Sequence, residues 1–255
     1  FPVEGFQTDE WMSTDQARDA DVVQLFEQCA QRAQPSFTLN DSSLNGIMRI
    51  CRLTGGMPLA LELAAAWVAV LSVDDIATEI ERSYRFLESQ FRDMPPRHRS
   101  LRATFESSWQ RLFTHEQEIL MRLSVFSGPF SRTAAQAVAG ATIADLQSFV
   151  SKSLLKSHPA RGYEIHDLLR QYLTDHLDQS GNGDNVRAAW CRHYLERLEN
   201  WSSAIKSSTQ RETLDDVQRE FDNIRAAWLY ACVHHQMLLE GAVEGLFLFF
   251  LIRSR

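Results

Sequence analysis

Apolar residues recur at spacings of three and four along most of this chain, and the stripes they form predict helices. Val22, Val23, Leu25, Phe26 and Cys29 mark one face of a helix over 19–33. Cap-type residues at Asp41-Ser-Ser open a second, whose stripe of Ile47, Ile50, Cys51 and Leu53 runs toward Gly55-Gly56, where it should stop. A third starts at Pro58, since proline is tolerated in a first helical turn and Leu59 to Trp67 are strong helix formers. Ser72 caps a fourth, with Ile76, Ile80, Tyr84 and Leu87 as its buried side. Met94-Pro95-Pro96 then breaks the pattern, because a residue before proline is pushed out of the helical region, and this predicts a boundary.

Beyond it, Leu101 to Leu112 reads as helix, and Thr114-His-Glu-Gln117 as the capping box of the next. Ser127-Gly-Pro129 is a turn, followed by short helices over 132–139 and 143–152. Ser153 to Ser157 and Tyr163 to His166 alternate as strands around a His158–Gly162 turn, and helical periodicity resumes from Leu168 to Leu177. Three helices, a hairpin and a helix in this order predict a winged helix-turn-helix variant. Ser180-Gly-Asn-Gly-Asp184 is a polar linker to a last helical stretch with stripes at Trp190, Tyr194, Leu198, Trp201 and at Phe221, Ile224, Ala227, Trp228, Ala231. The fold class expected is mainly α: a helical subdomain, a winged-helix subdomain with one small β-hairpin, and the start of a helical repeat region.

Composition narrows the function classes. With 44% hydrophobic positions among 255 residues, two or three small cores can be filled. The formal charge of −7 argues against a protein that coats nucleic-acid phosphates. Cys29, Cys51, Cys191 and Cys232 lack the paired spacing of zinc or redox motifs and read as reduced, mostly buried thiols of a cytoplasmic protein. The start at Phe1 has no signal-peptide character, so the chain reads as cut from something longer. Leu246 to Ile252 is an apolar run of seven, short of the roughly 20 that span a bilayer, and reads as a truncated helix deprived of its packing partner.

Three stretches together resemble the part of STAND (NB-ARC-type) signalling ATPases that follows the nucleotide-binding core: Cys51-Arg-Leu-Thr-Gly-Gly-Met-Pro-Leu-Ala-Leu-Glu-Leu-Ala-Ala-Ala66, Leu101-Arg-Ala-Thr-Phe105, and Leu154-Leu-Lys through Tyr163-Glu-Ile-His-Asp-Leu-Leu-Arg-Gln-Tyr172. Glu220-Phe-Asp-Asn-Ile-Arg-Ala-Ala-Trp228 is similar to the helical region that follows in many bacterial regulators of the family. The resemblance implies that 1–15 end the missing nucleotide-binding core, that 16–97 form the helical ARC-like subdomain, 98–178 the winged helix, and 179–255 a TPR-like region.

It also implies contacts to nucleotide at two positions, the Gly56–Pro58 element and His166. In the Gly56-Met57-Pro58 element, the proline ring would pack on adenine; the same residues also read as a helix stop followed by a helix start. Ile165-His166-Asp167 resembles the family's Met-His-Asp motif, in which the histidine donates to the β-phosphate of ADP and holds the protein off. An imidazole at a strand-to-helix junction can present a proton to an anion, and Asp167 can cap the next helix. A histidine at a strand end also serves as an ordinary hydrogen-bonded structural residue.

No Gly-x-x-x-x-Gly-Lys-Ser/Thr loop occurs, nor an apolar run ending in paired acids, so the fragment is not expected to be an enzyme; the parent would be a weak ATPase. ADP or ATP would bind only together with the upstream core. One charge-assisted hydrogen bond supplies roughly 1.5–3 kcal/mol, whereas micromolar binding needs about 8. The partners expected are that core in cis, a protein or small-molecule signal, and further copies on activation, with no membrane.

DNA binding is the competing function, with 143–152 as recognition helix. That helix carries Lys152 against Asp145, and Gln147 is its main base-reading candidate; over 97–176 ten Lys or Arg oppose seven Asp or Glu, a balance of only +3. A purely structural helical scaffold is the third reading. Adjacent His234 and His235 point different ways on a helix and suggest no metal site.

Overall fold

The computed structural model describes residues 18, 20–87 and 101–253; the expected core remnant over 1–15 and the Met94-Pro95-Pro96 boundary lie outside the described residues. The described residues form thirteen α-helices and one two-stranded antiparallel sheet, so the protein is mainly α with a small β-hairpin. They divide into two compact units. One runs to Phe113 and takes in Asp167–Tyr172; the other comprises Thr114–His166 and the chain from Leu173 onward.

In the first unit, α1 (Asp21–Ala33) buries Val22, Val23, Phe26, Cys29 and Ala30 against α3 (Pro58–Ala65) and the tight 3-10 turn Ala66–Ala69. α2 (Asp41–Leu53) packs on α4 (Val73–Arg82). The cap of α2 lies one residue earlier than the sequence suggests: Asn40 accepts from the Ser43 amide at 2.8 Å, and the Ser43 hydroxyl accepts from the Asn40 amide at 3.0 Å. Ser72 caps α4 as expected. The buried stripe Ile76, Ile80, Tyr84, Leu87 is real, but it is not one helix. Ser83 is extended, its hydroxyl takes the Arg85 amide, and Tyr84–Leu87 form a separate 3-10 turn. α5 (Leu101–Trp109) belongs to the same unit.

The second unit begins with α6 (Thr114–Leu123), α7 (Arg132–Ala139) and α8 (Ile143–Ser151), then β1 (Lys156–His158), β2 (Gly162–Glu164) and α9 (Asp167–Gln179), which gives its first six residues to the other unit. β1 starts later than its alternation predicts, because Ser153 adopts a left-handed conformation and bends the chain before Lys156, whereas β2 starts one residue earlier, at Gly162, and ends at Glu164. Ser180–Asn182 is a short turn into α10 (Gly183–Ile205), the spine on which α7, α11 (Gln210–Arg219), α12 (Phe221–His234) and α13 (Leu239–Arg253) pack. α13 does have a packing partner: it presses Ala242, Gly245 and Phe249 inward, and the Leu198 carbonyl of α10 occupies the space a side chain at Gly245 would need. Its other side leaves Val243, Phe247 and Phe250 exposed. No helix among the described residues is long and apolar enough to cross a membrane.

Candidate functional site

The Gly-Met-Pro element is built by the way α2 ends. Thr54 is fully buried and its hydroxyl donates to the Ile50 carbonyl at 2.8 Å, closing the last turn. Gly55 (φ 56°) donates to Arg52 and Gly56 (φ 65°) to Cys51, each at 3.0 Å, which is the pairing of a Schellman stop. Two successive left-handed residues reverse the chain at little steric cost only because both are glycine. Met57 is extended, as a residue before proline must be, and Pro58 is the first residue of α3. Gly56 is buried and Pro58 exposed, so the element offers a rigid apolar ring whose pose is fixed from beneath. The neighbouring Cys51 thiol is pushed up to about 12 by burial and is chemically inert at neutral pH.

His166 is placed by the hairpin. β1 and β2 pair Lys156 with Glu164, Ser157 with Tyr163 and His158 with Gly162. Tyr163 pairs on its other side with Phe130, amide to carbonyl at 2.9 Å and the reverse at 2.8 Å. That close approach needs Gly162 (φ 87°), since a Cβ there would run into the Phe130 carbonyl. After β2, Ile165 is buried, His166 is half-buried, and α9 begins at Asp167. Ile165 therefore stands at a core position.

Asp167 is the first residue of α9 rather than the residue before it, which corrects its reading as the cap. Its Oδ1 accepts from Arg170 Nε at 3.2 Å and Nη2 at 2.9 Å, so the carboxylate beside His166 carries its own counter-charge. Gly56 and Pro58 belong to the first unit and His166 to the second. The rest of the His-Asp motif is structural within the first unit: Gln171 accepts the Tyr84 amide at 2.8 Å, and the Tyr172 hydroxyl donates to Glu106 at 2.8 Å. Burial, then the Glu106 carboxylate, raise the Tyr172 phenol above its ordinary range, and the rings of Tyr84, Phe105 and Trp109 surround it.

The helix that would read DNA offers little to a duplex. Ile143 is 57% exposed, and Ala144, Gln147 and Ser151 complete its outward side. Lys152, its one basic residue, is bound at 2.6 Å to Glu116, a carboxylate 4% exposed that also takes the Ser148 hydroxyl at 2.9 Å.

Two buried polar residues of this unit were passed over by the sequence reading. Asn223 has no exposed surface; its Oδ1 accepts from the Ser127 amide at 2.8 Å and its Nδ2 donates to the Pro129 carbonyl at 2.7 Å. Glu220 accepts from the Tyr194 hydroxyl at 2.8 Å and from Arg197 at 3.0 Å. The signal for both was a polar residue in register with the apolar stripe of α12, Glu220 four before Ile224 and Asn223 four before Ala227. Among the described residues, no group of three or more His, Cys, Asp or Glu stands together as a metal site.

No family model matches the chain, and no solved structure does. It is similar to "Putative HTH-type transcriptional regulator Rv0890c" of Mycobacterium tuberculosis, 31% identical over 221 residues that make up 83% of this chain and 25% of the relative. "Putative HTH-type transcriptional regulator Mb0914c" of Mycobacterium bovis matches to the same extent. "Uncharacterized protein Rv0894" of Mycobacterium tuberculosis is 31% identical over 185 residues, 68% of this chain and 47% of the relative. The chain thus spans between a quarter and about half the length of these curated relatives.

Proposed function

We propose that this chain is the regulatory portion of a nucleotide-dependent signalling switch of the STAND (NB-ARC-type) class, in which Gly56, Pro58 and His166 contribute contacts to ADP held by an upstream nucleotide-binding core. The observation that carries the reading is the position of His166, half-buried and immediately before the first turn of α9. Backbone amides at a helix start favour anions, and an imidazole there adds a donor that strengthens against a charged acceptor. The Asp167–Arg170 pair supports this, because a bare carboxylate at that spot would repel a phosphate.

The residues fit such a ligand in kind: an exposed proline ring for the base and a histidine at a helix N-terminus for the phosphate. Neither supplies the affinity alone, so the chain by itself is expected to hold neither ADP nor ATP, and hydrolysis belongs to the core. His166 would favour the ADP-bound state over the open one, and a signal that prefers the open state would shift the balance.

Regulation of transcription by DNA contact is the second reading, favoured by the names of the two longer relatives. The outward side of α8 supports it poorly, and a DNA-binding segment elsewhere in a longer protein would reconcile both readings. The deciding experiment is to release bound nucleotide by heat from a longer protein that carries the upstream core, beside its His166→Ala form. Retained ADP that exchanges faster in the variant supports the switch; no nucleotide in the unaltered protein sinks it.

A further inference from the structure

Asn223 lies in α12, ninety-odd residues from the turn it holds, and the bonds it makes are unusually complete for a surface-turn contact. Its amide accepts from the Ser127 N–H at 2.8 Å and donates to the carbonyls of Pro129 at 2.7 Å and Gly128 at 3.4 Å. The Asn223 side chain has no solvent exposure, while Ser127 is exposed and Gly128 and Pro129 are half-buried, so losing the amide would strip the turn of the bonds that tie it to α12 and leave the buried end of α12 without its polar partners. Its neighbour Asp222 rests against Gly128 so closely that a Cβ on the glycine would fall 2.9 Å from the aspartate Cβ.

The turn continues directly into the pairing with the hairpin. Phe130 follows Pro129 and exchanges both backbone hydrogen bonds with Tyr163 of β2, three residues before His166. The Phe130 ring stacks on Phe126 at 4.3 Å, and Phe126 meets the edge of Tyr194 at 6.2 Å. Tyr194 in turn donates to Glu220, the residue immediately before α12. Helix α12, the 127–129 turn, the Phe130–Tyr163 pairing and α10 thus close into one continuous circuit of hydrogen bonds and ring contacts, all inside the second unit.

We propose that Asn223 is a positioning residue that couples the C-terminal helices to His166: a displacement of α12 is passed through the 127–129 turn and the Phe130–Tyr163 pairing to the end of β2. Coupling of this kind needs contacts that are either made or broken rather than stretched, and a buried amide with three fixed partners is such a contact. The regulatory consequence rests on the nucleotide reading given above; the mechanical coupling does not.

The test has two arms. In the 255-residue chain, hydrogen exchange is followed at the amides of Phe130 and Tyr163 in Asn223→Leu and in Thr142→Ala, which loses the cap of α8 instead, with urea adjusted to equal global stability. Asn223→Leu should lower protection of those two amides by about tenfold or more beyond the control; an equal loss in both variants overturns the coupling. If Asn223→Leu does not fold, Asn223→Asp, which keeps the acceptor for Ser127 and removes the donor to Pro129, is read against the same criterion.

In the longer protein, Asn223→Leu should speed ADP release as His166→Ala does, and the double variant should be no faster than the faster single. Release that is faster in His166→Ala but unchanged in Asn223→Leu overturns the coupling and leaves the nucleotide reading standing. Loss of amide protection with no effect of His166→Ala on ADP does the reverse.

Discussion

The hydroxyl of Tyr194 donates a 2.8 Å hydrogen bond to the carboxylate of Glu220, and both residues are buried. Arg197 reaches the other carboxylate oxygen at 3.0 Å while its guanidinium lies 4.5 Å over the Trp201 ring. A charge inside a core is tolerated when such partners meet it, and removing one partner costs more than the bond itself contributes. Tyr194→Phe should therefore lower the stability of the second unit by about 1.5–3 kcal/mol, the range for a bond to a charged group. Urea unfolding followed by the fluorescence of Trp190 and Trp201 measures it, and a change under about 0.5 kcal/mol would show that Arg197 alone suffices.

Immediately before Tyr194 on α10, the Nε2 of His193 is buried with no hydrogen-bond partner, and its ring meets Tyr194 edge-on at 5.1 Å. Burial, and then the positive charge of Arg197, lower its pKa, while Glu220 pulls weakly the other way. A histidine held below its ordinary value of 6.5 binds its proton more readily in the unfolded chain. Its contribution is thus complete above about pH 6.5 and is lost as the pH falls through the lowered native value. The unfolding midpoint should drop between about pH 7.5 and 5.5, and His193→Phe should remove part of that drop. Identical slopes for the two proteins would exclude His193 as its source.

Where the sequence reading held and where it failed have one cause. Stripes such as Ile76, Ile80, Tyr84 and Leu87 report burial, and all four are buried, but burial does not report the backbone break at Ser83. The helix stop at Gly55-Gly56 and the start at Pro58 were legible because φ > 0 and a proline ring restrict the chain locally. The polar helix α11 left no apolar stripe long enough to read, and buries only Thr213, Leu214 and Val217. At the candidate site, His166 at the strand-to-helix junction was legible from alternation followed by helical spacing. The role of Asn223 was not, because its partners are backbone groups of a turn far away in sequence, which no local pattern encodes.

Gly162 and Gly181 separate two costs of substituting a left-handed glycine. Their φ angles are 87° and 72°, but a Cβ at Gly181 meets nothing within 4 Å whereas at Gly162 it meets the Phe130 backbone. Gly181→Ala should cost about 1–2 kcal/mol through backbone strain. Gly162→Ala should cost more, at least about 2–3 kcal/mol, because the Phe130–Tyr163 pairing must open as well. Equal thermal shifts for both would mean that the β1–β2 hairpin yields freely at this point.

Lys152 gives a direct check on the DNA reading. Its ammonium is bound to the buried Glu116, so it is a structural cation rather than one waiting for a phosphate. Lys152→Met should destabilise the second unit by about 1–3 kcal/mol, a value kept low because the lysine is partly in solvent. It should leave any salt-dependent affinity for duplex DNA unchanged. A variant that folds normally and loses DNA affinity would restore α8 as a recognition helix.

The two roles open to the Gly-Met-Pro element, helix punctuation and base contact, come apart at Pro58. Gly56 is buried at φ 65°, so Gly56→Ala strains the turn whatever the element does, and its loss of about 1–2 kcal/mol separates nothing. Pro58 is exposed at the first position of α3, where its missing N–H interrupts no hydrogen bond, so Pro58→Ala should change stability by less than about 1 kcal/mol. Its apolar ring is nonetheless what a flat base would lie on. In a longer protein that carries the nucleotide-binding core, Pro58→Ala should then weaken ADP retention by about five- to tenfold, the loss expected for roughly 1–1.4 kcal/mol of buried apolar contact. Near-normal stability with weaker retention assigns the proline to the nucleotide, and near-normal stability with unchanged retention assigns it to the turn alone.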